Sequence, residues 1–192
     1  AVRLARAHGF LLAVDECYSE LWDRTIPPGA LQAAWADGGS FANLVVLHSL
    51  SKRSSAPGLR SGFIAGDPAF LARLLRLRAY ASPVQPLPLM AAATVLWQDE
   101  THVEANRALY RAKFDLAERQ LGNRFGFYRP AGGFFLWLDV GDGEAACRRL
   151  WRQAGVKVLP GGYLSPGSAD SSNPGRAFIR VALVDQPETV ER

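Results

Sequence analysis

Residues 48–63 read HSLSKRSSAPGLRSGF. The stretch holds Lys52, one of only three lysines in a chain that otherwise draws its positive charge from arginine. It passes from polar to glycine-rich to strand-like. Such a segment is either a surface turn or a site built around an anion, because serine hydroxyls, glycine-flanked N–H groups and an arginine fork all suit phosphate. On its N-terminal side, NLVVLHS (43–49) and the earlier FLLAVDE (10–16) are short apolar runs of the kind that form buried parallel strands, the first-occurring one ending in acids. On its C-terminal side, RSGFIAG (60–66) reads as a third strand. Asp67 and Pro68 then open a helix through about Tyr80, with Asp67 as N-cap and Pro68 at the first helical position.

Farther out, AVRLARAHG (1–9) is the body of a helix that Gly9 stops, and 19–42, with Pro27, Pro28, Gly29, Gly38 and Gly39, reads as irregular. SPVQPLP (82–88) breaks the chain, a helix follows over about Leu87–Gln98, and a long amphipathic helix runs from about 101 to 121, closed by Gly122. FGFYRP (125–130), GGFFLWLDV (132–140), VKVLP (156–160) and RAFIRVALV (176–184) read as strands, with EAACRRLWRQAG (144–155) a helix packed among them. The aromatic cluster at 134–137 reads as core, with both faces apolar, and SPGSADSSNPG (165–175) as a mobile loop. Strands alternate with helices, so the class is α/β, with more antiparallel character after about residue 122.

The 192 residues, 48% apolar and 21% charged, suffice for a packed core. A net charge of +4 is modest, and without zinc-ligand spacing, an RNP-like strand or a basic block it does not point to nucleic acid. No apolar run is long enough to span a membrane and no signal-peptide pattern is present. Cys17 and Cys147 form no CxxC pair and read as buried free thiols, so the expected compartment is the cytoplasm.

The ends of the first three strands bring together a distinctive set of groups. Strand one ends at Asp15, with Tyr18 three residues on; strand two ends at Ser49, with Ser51 and Lys52 beyond; Arg60 opens strand three. Open α/β sheets bind ligands outside the carboxyl ends of their strands. A lysine amine can join an aldehyde, the serines and Arg60 can hold a phosphate, and a buried aspartate needs a cation such as a protonated pyridine nitrogen. Together they describe a site for pyridoxal 5′-phosphate.

DECYSELW (15–22) and SLSKRSSAPGLRSGF (49–63) resemble the fold-type I pyridoxal-phosphate aminotransferases of class I and II, in which a strand-ending Asp is followed by Tyr, then by S-x-x-K and an Arg eight residues after the Lys. The resemblance implies a Schiff-base lysine and proton shuttle at Lys52, a pyridinium partner at Asp15, a bond from Tyr18 to the ring's phenolic oxygen, and a phosphate site of Ser49, Ser51 and Arg60. FIRVALV (178–184) is similar to the family strand whose Arg grips the substrate carboxylate, which implies that role for Arg180. His48 reads as a packed structural histidine, and Glu16 and Glu20 as local structure. The resemblance further implies part of a large cofactor domain over 1–105 and a small C-terminal α+β domain over 106–192, linked by the 101–121 helix. It implies amino-acid and 2-oxo-acid substrates and a homodimer. Arg53 and Ser54 narrow it to the succinyldiaminopimelate branch of lysine and cell-wall synthesis, with glutamate as donor. A C–S lyase on the same fold and a pyridoxal-phosphate-sensing transcription regulator are the alternatives. The family's stacking aromatic, its phosphate-binding helix start and its Asn–Pro segment lie upstream of the Asp, so the chain reads as the C-terminal part of a longer enzyme.

Overall fold

A computed structural model describes residues 1–81, 84–166 and 173–187. The expected break at 82–88 and loop at 165–175 therefore lie partly outside the described residues, at 82–83 and 167–172. The chain divides into two compact units, Ala1–Arg107 and Ala108–Arg192.

The first unit is built on a three-stranded sheet of β1 (Leu12–Asp15), β2 (Leu44–Ser49) and β3 (Gly62–Gly66), in that order. Helix α1 (Val2–His8) precedes β1 and ends at Gly9, whose φ of 69° gives the left-handed cap that glycine adopts without strain. β1 and β2 are parallel, with Leu12 beside Leu44 and Asp15 beside Leu47. Parallel pairing requires a crossover, and helix α2 (Ala30–Ala36) supplies it. The expectation of an irregular 19–42 is thus corrected: the prolines and glycines bracket ALQAAWA, whose Ala, Leu and Gln favour helix. β3 runs antiparallel to β2, from Ser49 beside Gly62 to Val45 beside Gly66. The intervening chain is coiled into α3 (Leu50–Arg53) and a 3₁₀ turn at Pro57–Leu59, so it cannot reach back to the far end of β2.

The core of this unit joins Ala34, Leu44 and Val46 to Val2, Leu12, Val14, Leu31 and Phe41. β1 was expected to be buried on both faces. Instead Leu12 and Val14 turn toward this core while Ala13 and Asp15 are exposed. Helix α4 (Pro68–Ala81) follows β3, and Asp67 caps it by accepting the N–H groups of Ala69 (2.8 Å) and Phe70 (3.1 Å). Its second oxygen takes the Asn43 N–H at 2.9 Å, which ties the helix start to the entry of β2. Helices α5 (Leu87–Gln98) and α6 (Thr101–Leu121) come next, and α6 crosses the division between the units.

The second unit has an antiparallel sheet in the order β4 (Phe135–Asp139), β6 (Phe178–Ala182), β5 (Leu159–Pro160). Phe114, Ala117, Leu136, Leu138, Ala146, Ile179 and Leu183 form its core. Helix α7 (Gly143–Ala154) packs there, capped by Asp142, which accepts the Ala145 N–H at 3.0 Å. Three expectations change. Residues 125–130 form no strand, because Phe125 and Gly126 are consecutive left-handed residues (φ 57° and 60°) that turn the chain. VKVLP pairs only at Leu159–Pro160, where proline has no N–H for the ladder. The aromatic run is not all core: Leu136 and Leu138 face inward, and alternation turns Phe135 and Trp137 to the opposite face. No described helix is long and apolar enough to cross a membrane.

Candidate active site

Side chains alternate along a strand, so the register sorts the end of the first sheet into two faces. Asp15, Leu47 and Ser49 share one face; Glu16 and His48, continuing from Val14 and Val46, share the other. Ala13, Gly62 and Gly66 add little or no side chain to the Asp15 face. Because β3 is antiparallel, its first residues lie beside the last of β2. That topology brings the Arg60 segment to the end of the sheet where Asp15 and Ser49 stand.

Asp15 is exposed rather than buried as expected, since it is the last residue of a strand whose Asp15 face is open. Its carboxyl is held below the usual carboxylate range, first by the Cys17 thiol and then by the Cys17 N–H, which donates to Oδ1 at 3.0 Å. Burial and the neighbouring carboxylate push the Cys17 thiol up to about 11, so it is a neutral donor at physiological pH. Tyr18 follows in a turn closed by Ser19 N–H to Glu16 O (3.0 Å) and Leu21 N–H to Tyr18 O (3.0 Å). The Lys52 Nζ sits 5.6 Å from the centre of the Tyr18 ring.

Ser49 ends β2 and caps α3. Its Oγ accepts the Ser51 N–H (3.1 Å) and lies 2.9 Å from Ser51 Oγ and 3.3 Å from Ser61 O. Arg60 has φ 49°, an uncommon left-handed setting for a side-chain-bearing residue, and its exposed guanidinium donates to Pro57 O at 3.1 Å. Asp15, Tyr18, Ser49, Ser51, Lys52 and Arg60 thus all belong to the first unit. Arg180 belongs to the second, on β6 between Trp137 and Leu159, with its guanidinium 4.3 Å from the centre of the Phe135 ring.

Several neighbours were not legible as a group. His48 donates from Nε2 to Glu16 Oε2 (2.9 Å) and stacks on Phe63 at 5.0 Å, while Glu16 Oε1 takes the Ala30 N–H (2.7 Å). That pair fastens the ends of β1 and β2 to the start of α2 behind the Asp15 face. Arg53, beside the lysine, is buried; it bonds Leu96 O (3.1 Å) and Glu100, and stacks over Trp97. A buried arginine next to an exposed loop has no periodic signal in sequence.

The family model for aminotransferase class I and II matches residues 1–192. The chain is 35% identical over 98% of its length to the 4-dedimethylamino-4-oxo-anhydrotetracycline transaminase OxyQ of Streptomyces rimosus, covering 51% of that protein. It is 30% identical over 99% of its length to the LL-diaminopimelate aminotransferase of Desulforudis audaxviator, covering 47% of it. Its fold matches a crystal structure of an aminotransferase from Neisseria meningitidis with a TM-score of 0.91 and 41% identity, over 99% of this chain and 49% of that one. The chain therefore spans about half the length of the relatives it matches.

Proposed function

From the premise that this chain belongs to the class I and II aminotransferases, we propose that it carries the cofactor lysine and the main polar partners of pyridoxal phosphate in an enzyme that moves an amino group from an amino acid to a 2-oxo acid. The observation that carries this reading is the gathering of an anionic carboxylate, a phenol beneath an amine, two linked hydroxyls and an arginine at one end of one sheet. The donor set fits the group. A carboxyl held below its usual range stays ionised at neutral pH and suits a protonated ring nitrogen. The Ser49 and Ser51 hydroxyls and the Arg60 fork suit a phosphate dianion.

When bound, pyridoxal phosphate supplies an electrophilic carbon and an electron-withdrawing ring. Lys52 Nζ would be the amine that holds the group and the base that carries a proton between substrate atoms. With the group bound, Asp15 would pair with its protonated ring nitrogen, and the Tyr18 hydroxyl would be the donor to its phenolic oxygen. Ser49, Ser51 and Arg60 orient the phosphate. Arg180 binds the substrate carboxylate; its stack on Phe135 fixes the plane of a fork suited to bidentate pairing.

For substrate we propose glutamate as donor and a succinyldiaminopimelate-type acceptor in lysine synthesis. The support is the SLSKRS block and the similarity to a diaminopimelate aminotransferase. We also propose a cytoplasmic homodimer. Helix α4 buries none of its side chains and leaves Leu75, Leu77 and Tyr80 exposed, a surface that a second copy would cover. The test is formation of 2-oxoglutarate from glutamate with a 2-oxo acid in the protein that contains this chain. Lys52→Ala is expected to abolish it; turnover at the parental rate would refute the assignment.

A further inference from the structure

Three polar side chains stand in a row beside the lysine helix. His102 Nε2 lies 2.8 Å from Ser54 Oγ, and His102 Nδ1 lies 2.8 Å from Asp99 Oδ2. This connectivity matches that of a hydrolytic triad. A triad needs N–H donors at the developing oxyanion. Here the Ser54 and Ala56 N–H groups are both engaged by Leu50 O, and that of Ser55 by Lys52 O. With its local backbone donors engaged, the row is a brace rather than a nucleophile.

What it braces follows from the next turn of the same helix. His102 and Asn106 are four residues apart on α6 and so share a face. Asn106 Nδ2 donates toward Lys52 O (3.3 Å) and Arg53 O (3.5 Å), and Asn106 Oδ1 lies 3.3 Å from Ser55 Oγ. Helix α3 is only Leu50–Arg53, far too short to hold its shape unaided. Its last carbonyls are of the kind a helix end leaves without intrahelical partners, and Asn106 reaches two of them. Two residues beyond the end of α3, Ser55 takes φ 49°, a left-handed setting that persists only where the surroundings impose it.

We propose that His102 and Asn106 are positioning residues: together they cap and hold the segment that carries Lys52, so that the amine is presented from a fixed backbone. This rests on the cofactor-site reading for its consequence, but the clamp itself is a property of the fold.

The test reads the two separately. Amide exchange is measured at Ser54–Ala56 and, as a reference, in β2 and β3, for the parent, Asn106→Ala, Ser54→Ala and Ser54→Thr. The clamp predicts exchange about fivefold faster at 54–56 in both alanine variants, the weight of about one hydrogen bond. It also predicts unchanged strand amides and recovery in Ser54→Thr, which keeps the hydroxyl. Capture of pyridoxal phosphate by Lys52, relative to Lys157, should fall in the same variants. Exchange at 54–56 within twofold of the parent in both alanine variants, or a rise shared equally by β2 and β3, overturns the clamp. A parent whose Lys52 reacts no faster than Lys157 counts instead against the cofactor site, and the exchange data still decide the clamp.

Discussion

Arg53→Ala is the substitution whose cost the structure specifies most fully. The side chain is 4% exposed. Its guanidinium donates to Leu96 O at 3.1 Å, bonds Glu100, lies 3.9 Å from Glu20 and sits 5.3 Å from the centre of the Trp97 ring. Breaking a buried ion pair by removing one partner costs about 3–5 kcal/mol, mainly through the charge left behind. Here the abandoned carboxylates are 63% exposed at Glu100 and 35% exposed at Glu20, so water recovers much of that loss. What remains is an unanswered Leu96 carbonyl and a hydrogen bond of charged type, about 1.5–3 kcal/mol, plus the arginine–tryptophan stack, about 1 kcal/mol. The expected total is about 3 kcal/mol. Arg53→Lys keeps the charge and loses the fork and the stack, so about half of that is expected. Urea unfolding measures both: with a slope near 2 kcal/mol/M, the alanine midpoint falls by about 1.5 M at unchanged slope. An alanine variant within about 1 kcal/mol of the parent would show that these buried Arg53 contacts do not hold α3 against α5.

Gly66→Ala should destabilise the first sheet by more than about 2 kcal/mol in the same assay, since a Cβ there would meet Leu44 O at 2.1 Å at a φ of 138°. Lys113 is buried, donates to Leu183 O at 3.0 Å, and burial lowers its affinity for a proton. Its folded pKa lies below the unfolded one, so between the two the unfolded chain binds more protons and stability rises with pH. The Lys113 contribution to the free energy of unfolding should therefore climb as pH rises toward about 10.4; it is read as the difference between the parent and Lys113→Met, because the raised Cys17 thiol contributes in the opposite sense over the same alkaline range in both.

How much of this was legible in the sequence depended on whether the signal was local. Asp67–Pro68 and Gly9 marked helix ends correctly because capping is decided within a few residues. The apolar runs at 10–16 and 43–49 declared strands, found at Leu12–Asp15 and Leu44–Ser49, but not which faces they would bury: Asp15 is exposed because Leu12 and Val14 alone turn to the core. The Asp–Tyr and S-x-S-K spacings pointed to one end of the first sheet, and the antiparallel return of β3 is the reason the Arg60 segment lies at that end too. Helix α2 was hidden by the prolines and glycines that bracket it. The pairing of Glu16 with His48, and of Asn106 with the end of α3, spans 32 and 54 residues and leaves no pattern in one chain. The strand expected at 125–130 failed because apolar content does not reveal a left-handed pair such as Phe125–Gly126.

The assignment of Lys52 as the cofactor amine can be read directly by chemical labelling. Incubation with pyridoxal phosphate, borohydride reduction, digestion and mass spectrometry locate the pyridoxyl group, with Lys113 and Lys157 as internal controls. Labelling should concentrate on Lys52, and that selectivity should be lost in Asp15→Asn. Equal labelling of the three lysines, or none at Lys52, would contradict it.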